Sequence, residues 1–284
     1  MNDLTYIKPQ NLQEALAELS KKNEATYILA GGTDILISLK EGNIKPQYLL
    51  DISELSEIKG IKQEGEYLVF GAATTMQSIA ESPIVKEKLP CLVSAAIQMA
   101  SPQIRVRATI AGNLVTGSPI ADTVPMFRAL DTVLEIQGTG KKREVKLDDF
   151  ILGYRKVDLT AGEMVTAFKV PLLKANQKAN FIKVGRRNAL AISVLNMAAK
   201  LTFAADKTVE SARVVLGGVA ATSVRAKNLE AFLTGKKMTE EVVLEAGNVV
   251  LQDATPIGDI RATAEGRKVL LSSRMVRLLE EFIN

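Results

Sequence analysis

The chain of 284 residues carries 36 Lys and Arg against 32 Asp and Glu, is 47% hydrophobic, and has one cysteine, no histidine and no tryptophan. Such a composition buries a sizeable core and excludes disorder. It also excludes His-based triads, zinc sites, His-ligated haem, Cys-ligated iron–sulfur clusters and internal disulfides.

Basic residues are interleaved with acidic ones and aromatics make up only 5%, which argues against a nucleic-acid surface. Redox or hydrolytic power would therefore come from an organic cofactor or a partner. The N-terminal Met1-Asn2-Asp3-Leu4 has no basic and apolar leader pattern, and no apolar run is long enough for a membrane span, so a cytoplasmic setting is expected. At roughly 100–200 residues per domain, the length suggests two domains.

In chain order, Asn11 and Glu14 make a capping-box-like helix start, and Leu12, Ala15, Leu16 and Leu19 share one helical face that ends near Lys21-Lys22-Asn23. Tyr27 to Ala30 reads as a short strand that runs into Gly31-Gly32-Thr33, followed by a helix over Asp34 to Lys40 and a strand over Tyr48 to Ile52. This order predicts a small parallel βαβ unit with glycines at the carboxyl end of a strand, where open α/β sheets bind ligands.

From about residue 60 the pattern changes to a hairpin around Glu64-Gly65-Glu66, a helix over Met76 to Ala80, and a helix from Pro90 in which Cys91 reads as a small core residue. A second glycine stretch, Thr109-Ile110-Ala111-Gly112-Asn113, precedes a helix over Thr123 to Leu130. Gly138-Thr139-Gly140 lies between alternating strands and reads as a hairpin turn. Past the polar stretch Pro171 to Lys178 come three strands (Phe181 to Val184, Ala191 to Phe203, Val209 to Ala220), then three helices (Val224 to Leu233, Glu240 to Leu251, Arg261 to Phe282). Strands first and helices after is an α+β pattern.

Either glycine stretch alone reads as a tight turn. Taken as a pair, they suggest two sides of a grip on a phosphate-bearing cofactor, since glycine lets backbone N–H groups approach an anion and a following helix would add its positive end. No Gly-x-Gly-x-x-Gly opens a helix, and Gly235-Lys236-Lys237 lacks the rest of a P-loop.

Four stretches together resemble one family. They are Ala30-Gly31-Gly32-Thr33-Asp34; Gln103-Ile104-Arg105 leading to Thr109 to Asn113; Ser118-Pro119-Ile120-Ala121-Asp122-Thr123-Val124-Pro125; and, in the tail, Leu216 to Ala220 with Asp259-Ile260-Arg261-Ala262-Thr263-Ala264-Glu265-Gly266-Arg267. The chain is similar, nearly end to end, to the FAD-binding medium subunit of molybdenum hydroxylases of the xanthine dehydrogenase, nicotinate dehydrogenase and carbon monoxide dehydrogenase type. The resemblance implies an α+β fold: a vanillyl-alcohol-oxidase-type FAD domain over residues 1–176, in subdomains of about 1–57 and 58–176, and a C-terminal domain of three strands and three helices over 177–284.

By the same resemblance, Leu29, Ala30, Gly31, Gly32, Thr33, Asp34 and Ile35 would wrap the FAD pyrophosphate, with Thr109, Gly112 and Asn113 opposite. Asp122 would accept hydrogen bonds from flavin-side hydroxyls, though it could equally cap the helix near Thr123. Lys183 matches a lysine near the flavin ring, where a cation would favour the anionic reduced form; by its alternation alone it reads as solvent-facing. Ala100 and Val165 are implied neighbours of the isoalloxazine. Val106, Ala111 and Gly266 depart from the usual pattern, and Ala111 is expected in an ordinary conformation.

The implied role is an oxidoreductase subunit carrying non-covalent FAD. It would take electrons from a two-cluster iron–sulfur small subunit, fed by a molybdopterin-binding large subunit, and pass them to NAD+ or another acceptor. A stand-alone flavin oxidoreductase and a flavin-less assembly protein are the alternatives.

Overall fold

The computed structural model describes residues 4–22, 25–187 and 190–283. Met1 to Asp3 and the expected helix end at Asn23 lie outside them.

The chain opens with β1 (Thr5–Ile7), α1 (Leu12–Lys22), β2 (Thr26–Leu29), α2 (Ile35–Lys40) and β3 (Tyr48–Asp51). The three strands form a parallel sheet in the order β1-β3-β2, as the βαβ pattern requires. Asn11 Oδ1 accepts the Glu14 N–H at 2.9 Å, and the Glu14 carboxylate accepts the Gln10 N–H at 2.7 Å, so the capping box closes one residue earlier than its standard form. Ala15, Leu16 and Leu19 are buried against Leu50, Ile52, Leu55 and Ile58.

The second part begins with the hairpin β4 (Ile61–Glu64) and β5 (Tyr67–Gly71) and a run of short helices, α3 (Met76–Glu81), α4 (Pro83–Lys88), α5 (Pro90–Ile97), α6 (Pro102–Arg105), α7 (Ile110–Val115) and α8 (Val124–Ala129). It continues with β6 (Val133–Gly138), β7 (Lys141–Lys146), α9 (Leu147–Phe150), β8 (Ile151–Gly153), β9 (Lys156–Val157) and β10 (Met164–Pro171). Five strands pair antiparallel in the order β4-β5-β10-β6-β7, and the expected Gly138–Gly140 turn joins β6 to β7. Three rings meet in their largely aliphatic core, Phe127 against Phe70 edge-on at 6.2 Å and against Phe168 at 5.2 Å. Cys91 is buried in α5, as its neighbours suggested, and burial pushes its thiol up to about 12.

The last part holds β11 (Gln177–Gly185), β12 (Ser193–Phe203), β13 (Val209–Gly217) and the short β14 (Val224–Arg225) in one antiparallel sheet, followed by α10 (Lys227–Leu233), α11 (Glu240–Val249) and α12 (Ala264–Glu280). Two helix starts differ from the sequence expectation. Val224 and Arg225 extend the sheet, so α10 begins at Lys227. The turn at Asp259 to Ala262 is closed by Asp259 accepting the Arg261 N–H, so α12 begins only after its Thr263 cap.

The sheet is apolar on both faces. Leu195, Met197, Ala199, Leu201, Val214 and Leu216 pack toward the three helices. Phe181, Ala198 and Val215 join the core of the preceding sheet. Period-2 alternation thus makes this sheet a layer between two cores. Among the described residues no helix is long and apolar enough to cross a membrane.

Candidate functional site

A cavity of about 910 Å³ opens where the small parallel sheet meets the antiparallel part. Its wall takes in Ala30 to Ile35 after β2, residues of α7, Ala121 and Asp122 before α8, Arg155, and residues 159–163 before β10.

The first glycine pair does two different jobs. Gly32 has φ +78°, a left-handed conformation natural to glycine. Gly31 is instead a contact residue, because a Cβ there would stand 1.9 Å from the Arg107 carbonyl oxygen. Holding the turn this way leaves a row of donors. The N–H groups of Gly31, Gly32, Thr33, Asp34 and Ile35 bond to no protein acceptor among the described residues, although all five residues line the cavity. Unpaired amides beside a cavity call for a ligand or water. Since α2 has only six residues, the amides themselves carry this argument and the helix end adds little.

The second glycine stretch is the first turn of a helix, and its amides from Ile110 to Asn113 are spent. Thr109 caps α7, its Oγ1 accepting the Gly112 N–H at 3.2 Å. The Ile110 and Ala111 amides donate to the Thr74 and Ala72 carbonyls, and Asn113 N–H donates to Thr109 O. Ala111 is helical, as expected. Side chains remain for a ligand: Asn113 Oδ1 accepts from Thr123 N and Oγ1, at 3.3 and 2.8 Å, which leaves its Nδ2 as a donor beside the Thr109 hydroxyl.

Asp122 does not cap α8, whose N-cap Thr123 has no side-chain capping bond either. Its Oδ2 pairs with Lys183 Nζ at 2.9 Å and its Oδ1 accepts the Ser193 hydroxyl at 2.6 Å. Lys183 also donates to the Gln98 carbonyl, and with its side chain 6% exposed it is no solvent-facing residue. It meets the cavity through Asp122 and is not part of the wall. Leu29, Ala100 and Val165 also stand off the wall; Val165 is buried in β10 opposite Ile136, and Ala100 holds φ +43° between α5 and α6.

Several wall residues had no signal in the sequence. Residues 160–163 reach the cavity because Arg143 clamps Glu163 through Nε and Nη2 at 2.9 and 2.8 Å and also holds Asp158 at 2.7 Å. The Arg143 guanidinium, opposed by burial and helped by the Thr160 amide, lowers the Glu163 carboxyl to about 2. Met99, Ile104, Ile120 and Ile192 add an apolar lining.

This donor set fits FAD: amide N–H groups for phosphate oxygens, a carboxylate for hydroxyls, and apolar side chains for a ring. No group of three or more His, Cys, Asp or Glu able to hold a metal occurs among the described residues.

Comparisons with known proteins agree with that chemistry. Residues 2–173 match the family described as FAD binding domain in molybdopterin dehydrogenase, and residues 180–282 match the CO dehydrogenase flavoprotein C-terminal domain. The chain is 30% identical over 272 residues to the carbon monoxide dehydrogenase medium chain of Hydrogenophaga pseudoflava, covering 96% of this chain and 94% of that one. It is 33% identical to the nicotinate dehydrogenase FAD-subunit of Eubacterium barkeri, covering 89% and 86%. A solved structure of carbon monoxide dehydrogenase from Hydrogenophaga pseudoflava superposes with TM-score 0.93 at 31% identity, over 98% of this chain and 96% of that chain. The chain belongs to the FAD-binding subunits of the molybdenum hydroxylase family.

Proposed function

We propose that this subunit seats FAD in the 910 Å³ cavity and passes electrons from an iron–sulfur partner, itself fed by a molybdopterin-binding large subunit, to an acceptor such as NAD+. The observation that carries the reading is the row of unpaired amides at Gly31 to Ile35 on the cavity wall. FAD, when bound, supplies redox chemistry that can accept electrons singly and release them in pairs.

The protein's own part is binding and orientation. The Gly31, Gly32 and Thr33 amides would take the pyrophosphate, and the Thr109 hydroxyl and Asn113 Nδ2 would approach from α7. Asp122 would accept ligand hydroxyls, its carboxylate fixed by Lys183 and Ser193. Ala30, Asp34, Ile35 and Gly112 belong to the same seat. Leu29, Ala100, Val165 and Lys183 would support it from behind the wall. The subunit names of its relatives, medium chain and FAD-subunit, support a partnered role.

The test has two arms. The purified chain given FAD should show a bound-flavin absorbance spectrum, and Gly32→Asp, which sets a carboxylate beside the pyrophosphate, should abolish it while the protein stays folded. In stopped flow, flavin absorbance should bleach on substrate addition only when both partners are present. Bleaching in the isolated subunit would favour a stand-alone oxidoreductase.

A further inference from the structure

Among the described residues, the cavity wall contains one basic residue, Arg155, and three acidic ones, Asp34, Asp122 and Glu163. Asp122 is neutralised by Lys183 and Glu163 by Arg143. Arg155 has no carboxylate partner among the described residues; its guanidinium carbon lies only over the Tyr154 ring, 5.8 Å from the centroid. With those two pairs closed, Arg155 is the cation on the described wall left to meet a polyanionic cofactor.

The backbone makes this arginine more conspicuous. Tyr154 and Arg155 form the two-residue turn between β8 and β9, where Gly153 pairs with Lys156. Arg155 sits there at φ +53°, a left-handed conformation that turns ordinarily give to Gly or Asn. The turn is also locked in place. Arg155 N–H donates to the Gly117 carbonyl at 3.1 Å, and Gly117, itself at φ +58°, lies so close that a Cβ would stand 2.8 Å from Arg155 Cα. Gly117 lies just past Thr116, the C-cap of α7, so the turn that carries the guanidinium is tied to the helix that holds Asn113 and is capped by Thr109. Arg155 is exposed and lines the cavity, so a charged side chain on a strained, docked turn is open there to an anionic ligand.

We propose that Arg155 is an anion-binding residue of this cavity, placing its guanidinium on the FAD diphosphate and complementing the neutral amides of Gly31 to Ile35. This rests on the seating of FAD proposed above. A guanidinium suits the task because its planar donors can hold phosphate oxygens in pairs and it stays charged at every working pH.

The full chain is tested by fluorescence titration with FAD at several salt concentrations, together with melting of the flavin-free protein. Arg155→Gln should weaken FAD binding about tenfold or more and flatten its salt dependence, because one charge contact is lost. Arg155→Lys should recover part of the affinity. Arg155→Gly should weaken FAD binding like the Gln variant yet raise the melting temperature of the flavin-free chain by about 2 °C, through relief of the left-handed strain. A purely structural role would lower stability and affinity together. FAD affinity within twofold of wild type for Arg155→Gln, or an unchanged salt slope, overturns the proposal. Failure of the wild-type chain to bind FAD at all is a separate outcome, and it would overturn the parent reading as well.

Discussion

Gly31 and Gly32 are neighbours, but their substitutions should separate cleanly. Gly31→Ala drives a Cβ to 1.9 Å from the Arg107 carbonyl oxygen and 2.7 Å from its carbon, so two backbone segments must part. We expect a loss of about 2–3 kcal/mol in urea denaturation, with flavin binding lost as the turn shifts. Gly32→Ala meets only leucine side chains, Leu36 Cδ1 at 3.0 Å and Leu29 Cδ1 at 3.4 Å, and should cost about 1 kcal/mol for its positive φ. Glu163 offers a pH test. Its folded carboxyl, at about 2, is more acidic than the ordinary 4.5, so the Arg143 clamp stabilises fully above about pH 5 and fades as the pH falls toward 2. Glu163→Gln should therefore lose about 1–2 kcal/mol against wild type at pH 7, with the gap narrowing by pH 3. Cys91, buried and held as the thiol, should resist thiol reagents until the protein unfolds. The glycine pair was legible in the sequence. The reason for Gly31 was not, because its neighbour Arg107 is distant in the chain and only packing brings it near.

At the level of elements, the link between β11 and the approach to α8 is the Lys183–Asp122 pair, whose side chains are 6% and 13% exposed. Removing one partner strands a buried charge. Lys183→Met and Asp122→Asn should each cost about 3 kcal/mol, and the double variant clearly less than their sum, which a double-mutant cycle in urea would read directly. The alternation of β11 correctly marked Lys183 as pointing away from its apolar neighbours, but that side is a domain contact here and not solvent. In the same way Thr109 to Asn113 looked like a second phosphate loop. Its amides instead close α7 and bond to the Ala72 and Thr74 carbonyls, partners that no local pattern announces.

Across the whole molecule, a cluster of charged groups adds to the apolar contact between the two larger sheets. Asp148 of α9 accepts from Arg128 Nε at 2.9 Å and from Arg213 of β13, while Arg213 also pairs with Asp131 at 2.8 Å and Arg128 donates to Ser223. Asp148→Ala leaves two largely buried guanidinium groups short of their partner, and we expect a loss of about 3 kcal/mol. In calorimetry the variant should melt earlier than wild type, with the C-terminal sheet and the flavin-binding part separating further.

The sequence by itself determined the α+β class, the order of elements, the parallel unit with glycines at its strand end, and, through the absence of histidine and the single cysteine, the need for a borrowed cofactor. These follow from periodicity, turn chemistry and composition, which are local or summed properties. Tertiary structure alone decided which donors stay free. An amide or a cation becomes available to a ligand only when its neighbours in space have not already satisfied it. That is why Gly31 to Ile35 and Arg155 face the cavity with unspent hydrogen-bonding capacity while the amides of Ile110 to Asn113 do not.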